Sequence, residues 1–373
     1  MATKICMSFN NLSIYRRAIY TMIDKKYDCD WYIEDQDTGV NSFNDSELHR
    51  VKRLHVVKVG PFYWEKGLIS LLWKDYDIYF MLGSTRNISL FFFCLLKLVF
   101  FRKKKRVFLW THGYYGKESL VEWLLWKRPM LKMADGIFTY GDYARSMLVG
   151  KGFDESRIFP IHNSLDYDKQ LKLREKLVPS LIYKKHFENT NPVIIFIGRL
   201  TTIKKLDMLI NAVGLLKRKG NEYNVVFVGD GVEREKLERL SIENQIQRNV
   251  WFYGECYDET QNAELVYNAD LCVAPGNIGL TAMHSLMFGC PAISHNNFAF
   301  QMPEFEAIKP GKTGDFFEFG SVVDLADRIE HWFLTHADKR ESIRSACYQV
   351  IDTSWNPYYQ IKVIQQIFGS IER

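Results

Sequence analysis

What the sequence lacks narrows the field first. Its seven cysteines (Cys6, Cys29, Cys94, Cys256, Cys272, Cys290 and Cys347) are scattered and never form a C-x-x-C pair. That excludes a disulfide framework and a cysteine zinc site and fits a reducing compartment. The N-terminal stretch MATKICMSFNN has no long apolar core behind a basic start, so neither a signal peptide nor export is expected, and the expected location is the cytoplasm. There is no internal repeat and no low-complexity segment. No recognisable nucleic-acid-binding motif accompanies the positive charge, so nucleic acid is not an expected partner.

What is present describes a folded enzyme-like chain. Of 373 residues, 47% are apolar, 15% aromatic and 25% charged, which suits a globular protein. The length suits two domains, each able to bury a substantial core. The net charge of +5 conceals an asymmetry: residues 1–185 hold 31 Lys/Arg against 20 Asp/Glu, and residues 186–373 hold 18 against 24. A basic half can face an anionic lipid surface or a phosphorylated substrate.

Short apolar runs alternate with helical patterns along the whole chain. Strands are expected at 4–9, 30–34, 55–59, 77–83, 106–113, 135–141 and 157–163, then at 192–198, 224–231, 250–254, 271–276 and 291–295. Runs apolar on successive residues fit strands covered on both faces, hence parallel sheets in two Rossmann-like, doubly wound α/β domains. The expected bounds are 1–168 for the first domain, 169–191 for a charged linker with two prolines nearby, 192–350 for the second domain, and 351–373 for a last helix. Ligands are expected at the carboxyl ends of the strands, in a cleft.

Three stretches carry chemistry. In IFIGRLTTIKKLDMLINAV (195–213) a strand ends at Gly198 and a loop presents Arg199 and Lys204 before a helix. A planar guanidinium and a mobile ammonium on one loop suit a diphosphate, although cations also decorate ordinary surface loops. FVGDGVEREKLERL (227–240) has glycines flanking Asp230 but no G-x-G-x-x-G, and reads as a turn. In APGNIGLTAMHSLMFGCPAIS (274–294), Gly276 and Gly279 permit close backbone approach, and the amides near Gly279 and Leu280 open a helix whose N-terminal end attracts anions. Together these pieces describe a diphosphate held by the second domain.

In order and spacing these motifs, with VWFYGECYD (250–258) and EAIKPGKTG (306–314), resemble the retaining glycosyltransferases of family 4, which have the GT-B fold. The resemblance is strong over about 192–320. It continues through WTHG (110–113) and IHNSLD (161–166) in the first half. It implies a nucleotide-diphosphate-sugar donor gripped by the second domain, a saccharide or lipid-linked saccharide acceptor bound mainly by the first, and a last helix returning to the first domain. It also implies retention of configuration in polysaccharide or glycolipid assembly, of the capsule or O-antigen kind. By the same resemblance Arg199 and Lys204 bind the diphosphate beside Gly198, with the amides of Gly279 and Leu280 on phosphate. Glu255, Cys256 and Tyr257 lie in the base-binding loop, and His112 contacts the donor sugar near the reaction centre. No cofactor is implied, and no metal, since no D-x-D-like acidic pair follows a strand in a suitable context.

Two departures accompany the resemblance. Where the family carries two glutamates eight residues apart, this chain has Gly276 and His284. A neutral imidazole offers one acceptor and one donor in place of a carboxylate's two acceptors, so the donor contacts must differ. Asn277 or Asn296 is left to replace the missing sugar contact. In place of a glycine-rich loop after the first strand stands FNNLSIYRR (9–17), whose Asn10, Asn11, Arg16 and Arg17 are expected mainly to begin and solvate a helix.

ISLFFFCLLKLVFFRKKKR (88–106) is apolar except for Ser89 and Lys97 until five consecutive cations close it. It is too short to span a bilayer. Either it is the buried helix between two strands, or it lies on an anionic membrane as a monotopic contact, with Trp123, Trp126, Lys127 and Arg128 extending the face. Two alternatives to transfer remain on the same architecture: a nucleotide-sugar isomerase (epimerase), and a non-catalytic nucleotide-sugar-binding protein.

Overall fold

The computed structural model describes residues 3–36, 41–102 and 104–370. Its chain divides into two compact units, Met1–Asp166 with Asn356–Arg373, and Tyr167–Trp355. Each unit is a Rossmann-like doubly wound α/β domain.

The first unit holds a seven-stranded parallel sheet. Its strands are β1 (Lys4–Phe9), β2 (Asp28–Glu34), β3 (Val51–Leu54), β6 (Ile78–Leu82), β7 (Arg106–Thr111), β8 (Gly136–Thr139) and β9 (Ile158–Pro160), in the order β3-β2-β1-β6-β7-β8-β9. Alternate residues serve opposite cores, as the two-residue period requires. Met7, Phe9, Phe80 and Trp110 join Tyr20 and Phe368 in one cluster. Cys6, Tyr79, Met81 and Leu109 join Phe93 and Leu131 in the other. Both faces are therefore covered, the condition under which strands stay apolar throughout.

The strand expected at 55–59 does not enter this sheet. Residues Val56–Val59 form β4, which pairs antiparallel with β5 (Phe62–Glu65), and β3 takes the edge position. Gly60, at φ 60°, precedes Pro61 and reverses the chain between them.

The second unit has six parallel strands, β10 (Val193–Ile197), β11 (Asn224–Val228), β12 (Val250–Gly254), β13 (Leu271–Ala274), β14 (Ala292–His295) and β15 (Gly314–Phe317), in the order β12-β11-β10-β13-β14-β15. The helix Leu206–Arg218 buries Leu206, Leu209, Ile210, Val213 and Leu216 at helical spacing.

The stretch expected as a linker folds as part of this unit. Helices Tyr167–Arg174 and Ile182–Phe187 occupy it, and the buried Tyr183 donates its hydroxyl to the Leu265 carbonyl at 2.6 Å. Its charged composition reflects helices that each bury a single side chain, Gln170 and Tyr183. The return to the first unit starts at Asn356, because residues 351–354 complete the helix Arg340–Ser354. Asn356 caps the last helix, Pro357–Gly369, by accepting from the Tyr359 amide at 2.9 Å. Gln360 then fastens that helix to IHNSLD, accepting from Ser164 Oγ at 2.7 Å and donating to the His162 carbonyl at 3.0 Å.

Candidate functional site

The strand order of the second unit reverses between β10 and β13. Ligands of open α/β sheets bind outside the carboxyl ends at such a switch point. The two loops leaving that point, 198–205 and 275–279, carry Gly198, Arg199, Lys204, Gly276, Asn277 and Gly279.

The loops are tied to each other. Lys204 Nζ donates to the Asn277 carbonyl at 2.7 Å and to its Oδ1 at 3.0 Å, and the Gly276 amide donates to the Lys204 carbonyl at 2.9 Å. Desolvation first, and the like charge of Arg199 further on, hold the Lys204 ammonium down to about 8 against the opposing pull of Glu304. Arg199 is exposed, and among the described residues its guanidinium has no hydrogen-bond or ion-pair partner. A free guanidinium beside a half-desolvated ammonium is chemistry suited to an anion.

Gly279 ends the second loop. At φ 55° and ψ −144° it takes a conformation open only to glycine and stands as N-cap of the helix Leu280–Met287, whose first amides face outward from that end. Thr281 Oγ1 binds the Ile197 carbonyl at 2.9 Å, fixing the helix start on the end of β10. The G-D-G turn supports the same place. A Cβ on Gly229 would strike the Gly198 carbonyl and one on Gly231 the Leu200 carbonyl, while the Leu200 amide donates to the Asp230 carbonyl at 2.9 Å. These glycines let the loop after β11 lie against the segment bearing Arg199.

Sequence reasoning missed two supports, Gln301 and Ser294. Gln301 accepts from the Ile278 amide at 3.0 Å and donates to Ser294 Oγ at 2.7 Å, and Ser294 Oγ donates to the Ala274 carbonyl at 2.8 Å. Both residues are buried polar groups whose hydrogen bonds are satisfied by one another and by the loop. No sequence motif marks them.

Gly276 has no room for a side chain. A Cβ there would run into the Ile203 carbonyl oxygen and lie 2.8 Å from Lys204 Cα, both backbone. His284 sits differently, with 27% of its side chain open. Gln170 Nε2 lies 3.3 Å from His284 Nδ1 and donates to Glu259 Oε1 at 2.6 Å, while Glu259 Oε1 is 3.6 Å from His284 Nδ1. Where the Gln170 amide donates to Nδ1 the imidazole's proton sits on Nε2, whereas the Glu259 carboxylate facing the same nitrogen favours the other tautomer. Desolvation lowers the imidazole's pKa below its ordinary value, with Glu259 opposing. That shift favours the neutral ring.

Glu255, Cys256 and Tyr257 follow β12, two strands and about 10 Å across the sheet from β10. Glu255 and Tyr257 are exposed and touch each other at 3.2 Å, and Cys256 is partly buried. The chain then enters the helix Glu259–Asn268, so Glu259 links this loop to His284.

In the first unit His112 follows β7, its ring centroid 4.7 Å from that of Tyr140. Desolvation by the surrounding protein, and then Arg16, Lys127 and Lys117, lower its pKa, to about 4, although the residue is exposed to solvent and the shift is correspondingly screened. Arg16 does not solvate its helix. It is 7% exposed, donates to the Tyr20 hydroxyl at 3.2 Å and to the Tyr140 hydroxyl, and lies over Trp110 at 5.1 Å. Arg17 is the outward one, 2.6 Å from Glu47.

Residues 180–350, most of the second unit, match the family model for glycosyl transferases group 1. EpsD of Bacillus subtilis is 27% identical over 245 residues, 62% of this chain and 61% of its own length. A GDP-mannose-dependent alpha-(1-6)-phosphatidylinositol dimannoside mannosyltransferase of Mycobacterium tuberculosis is 34% identical over 107 residues, 28% of this chain and 27% of its own. The chain thus spans about three fifths of the first relative and about a quarter of the second. Among solved structures, a lipopolysaccharide outer core galactosyltransferase, WaaB, superposes with a TM-score of 0.73 at 15% identity, covering 99% of this chain and 100% of that one. Anabaena HepE in complex with UDP gives 0.70 at 16%, covering 99% of each chain. These likenesses establish the GT-B architecture of two Rossmann-like domains.

Proposed function

We propose that this protein is a glycosyltransferase moving a sugar from a nucleotide-diphosphate-sugar to a saccharide or lipid-linked saccharide acceptor. In this reading configuration is retained, and the work is done in the cytoplasm during polysaccharide or glycolipid assembly of the capsule or O-antigen kind. The observation that carries it is the convergence of Arg199, Lys204 and the helix start at Gly279 on the switch point of the second sheet. The match to group 1 glycosyl transferases and the nucleotide-linked names of relatives support it.

As the sugar's bond to the diphosphate breaks, negative charge accumulates on the leaving oxygens. Preorganised cations and amides at that place stabilise the transition state more than the ground state. Arg199 offers a fork, Lys204 a point charge, and the Gly279 and Leu280 amides neutral donors. Charge stabilisation therefore resides in the chain's own groups, and no cofactor enters the proposal. His284 Nε2 would donate to a ribose hydroxyl and Glu259 would accept from one. His112, neutral above about pH 5 by its lowered pKa, would act near the sugar as a hydrogen-bonding group.

Radiolabelled donor incubated with and without a saccharide acceptor tests the reading. Acceptor-dependent release of nucleoside diphosphate supports it. Conversion of the sugar without acceptor would make the protein an isomerase, and binding without turnover a nucleotide-sugar-binding protein.

His284→Ala is expected to weaken donor binding by about 1 kcal/mol, the scale of one neutral hydrogen bond. Because burial lowers the pKa of His284, the ring is already deprotonated through the neutral range. Wild-type affinity should therefore show no histidine step between about pH 6.5 and 7.5. Calorimetric titration across that range checks both; a step there that vanishes in the alanine variant would assign a charged imidazole instead.

A further inference from the structure

The helix Ile88–Phe100 is apolar on its outer face as well as its inner one, where Leu90, Phe93 and Cys94 are buried. Its polar side chains, Ser89 and Lys97, are buried, and Lys97, 1% exposed, reaches Asp135 at 2.5 Å. The opposite face presents Phe92, Leu95, Leu98, Val99 and Phe100, with Val99 and Phe100 about two thirds open. A surface helix of a water-soluble domain turns its charge outward and its apolar stripe inward.

The segment 120–127 likewise exposes apolar side chains. Trp123 and Lys127 point inward, Lys127 meeting Glu118 at 2.6 Å, while Leu120, Val121, Leu124 and Leu125 are exposed. Glu122 is the one exposed acid among them. Aromatic contacts join the two segments: Trp126 stacks on Phe91 at 4.4 Å, Phe91 meets Phe92 at 6.0 Å, and Phe92 meets Trp64 at 6.1 Å. Contiguous apolar surface of this extent marks a docking site.

Charge selects the occupant. Residues 51–132 hold 16 Lys/Arg against 5 Asp/Glu, a net +11, while residues 1–50 hold 6 against 8. The whole basic excess of the first half therefore falls in the stretch that carries the apolar face. Lys66, Arg102, Lys104, Lys117 and Lys132 are exposed there. Lys103 lies outside the described residues. Lys105 is turned inward, donating to the Lys74 and Tyr76 carbonyls at 2.6 and 3.1 Å, so the basic run does not act as a unit. A second copy meeting this face with its own about a two-fold axis would bring like charge against like charge, and a nucleic acid would leave the apolar side chains without a partner.

We infer that this face of the first unit docks on an anionic lipid bilayer, seating the apolar side chains of 92–100 and 120–125 at the headgroup boundary under a basic rim. No helix among the described residues is long and apolar enough to cross a membrane, so the contact is monotopic. It stands independently of the sugar-transfer reading.

The test is co-sedimentation of the full chain with vesicles. Wild type should bind vesicles of phosphatidylcholine with phosphatidylglycerol, far less those of phosphatidylcholine alone, and should release at high salt. Val99→Glu with Leu125→Glu should reduce binding at least about tenfold, and Arg102→Gln with Lys104→Gln about fivefold per cation. All four positions are exposed, so thermal unfolding should not change, and size-exclusion chromatography reports self-association. Absence of binding at low salt, or binding untouched by the apolar pair, overturns the inference. So does an oligomer that the Val99/Leu125 variant dissolves while vesicles are ignored, which would make the face an interface between copies.

Discussion

Replacing Lys204 by alanine should lower turnover by about 100-fold, the scale of removing one group that stabilises transition-state charge, and Arg199→Ala should do the same. The pH profile separates this role from a structural one. Lys204 is held down to about 8, so in the free protein it is charged below that pH and loses its proton as pH rises through it. Since kcat/KM reports the free enzyme, it should fall above about pH 8. A bound diphosphate favours the charged form and raises the pKa again, so kcat should hold to higher pH. Arg199→Ala removes a like charge and should move the kcat/KM limb upward; Lys204→Arg, which cannot deprotonate in this range, should abolish it. Asn277→Ala keeps the cation while removing its Oδ1 acceptor and should cost far less than Lys204→Ala. Full turnover in both alanine variants would remove the proposed donor site.

The doubly wound pattern was legible because parallel strands buried on both faces stay apolar on every residue, as VIIFI (193–197) and NVVFV (224–228) show. The edge was not. VKRL (51–54) pairs on one side only and carries two exposed cations, so nothing in its composition marks it as a sheet strand. GDFF (314–317) was passed over because it follows a glycine turn rather than an apolar run. At the site, Arg199, Lys204 and Gly279 were readable from local spacing. Gln301 and Ser294, which hold the 274–278 segment, and Gln170 and Glu259, which face His284, were not, since each acts through tertiary contacts from another element. The direction of a side chain was likewise hidden. Lys97 and Lys127 turn inward and Arg16 hides against Trp110, which composition alone cannot distinguish from solvated cations.

Gly276→Glu should inactivate the protein although it restores an acid that the resembled family carries there. The obstacle begins at Cβ, before any carboxylate is placed. Because the atoms in the way are the Ile203 carbonyl and the Lys204 backbone, no rotamer change relieves the contact, and one loop must move away from the other. Overpacking of this kind costs about 1–3 kcal/mol in stability. The larger consequence falls on function, because the displaced segment bears Lys204, and the bond from the Gly276 amide to the Lys204 carbonyl is lost with it. A misplacement on the order of 1 Å in a positioned group costs about 100-fold in rate, so Gly276→Ala alone should lower kcat/KM by that much or more. His284→Glu makes the contrast. That side chain lies partly open beside Gln170 and Glu259, and the family's acid should fit there with donor binding still measurable, although weakened by the like charge of Glu259. Steady-state kinetics with calorimetric donor titration on the three variants decides the matter. Wild-type activity in Gly276→Glu would mean that the 276 loop yields and that the close packing of 203–204 on Gly276 does not fix the diphosphate site.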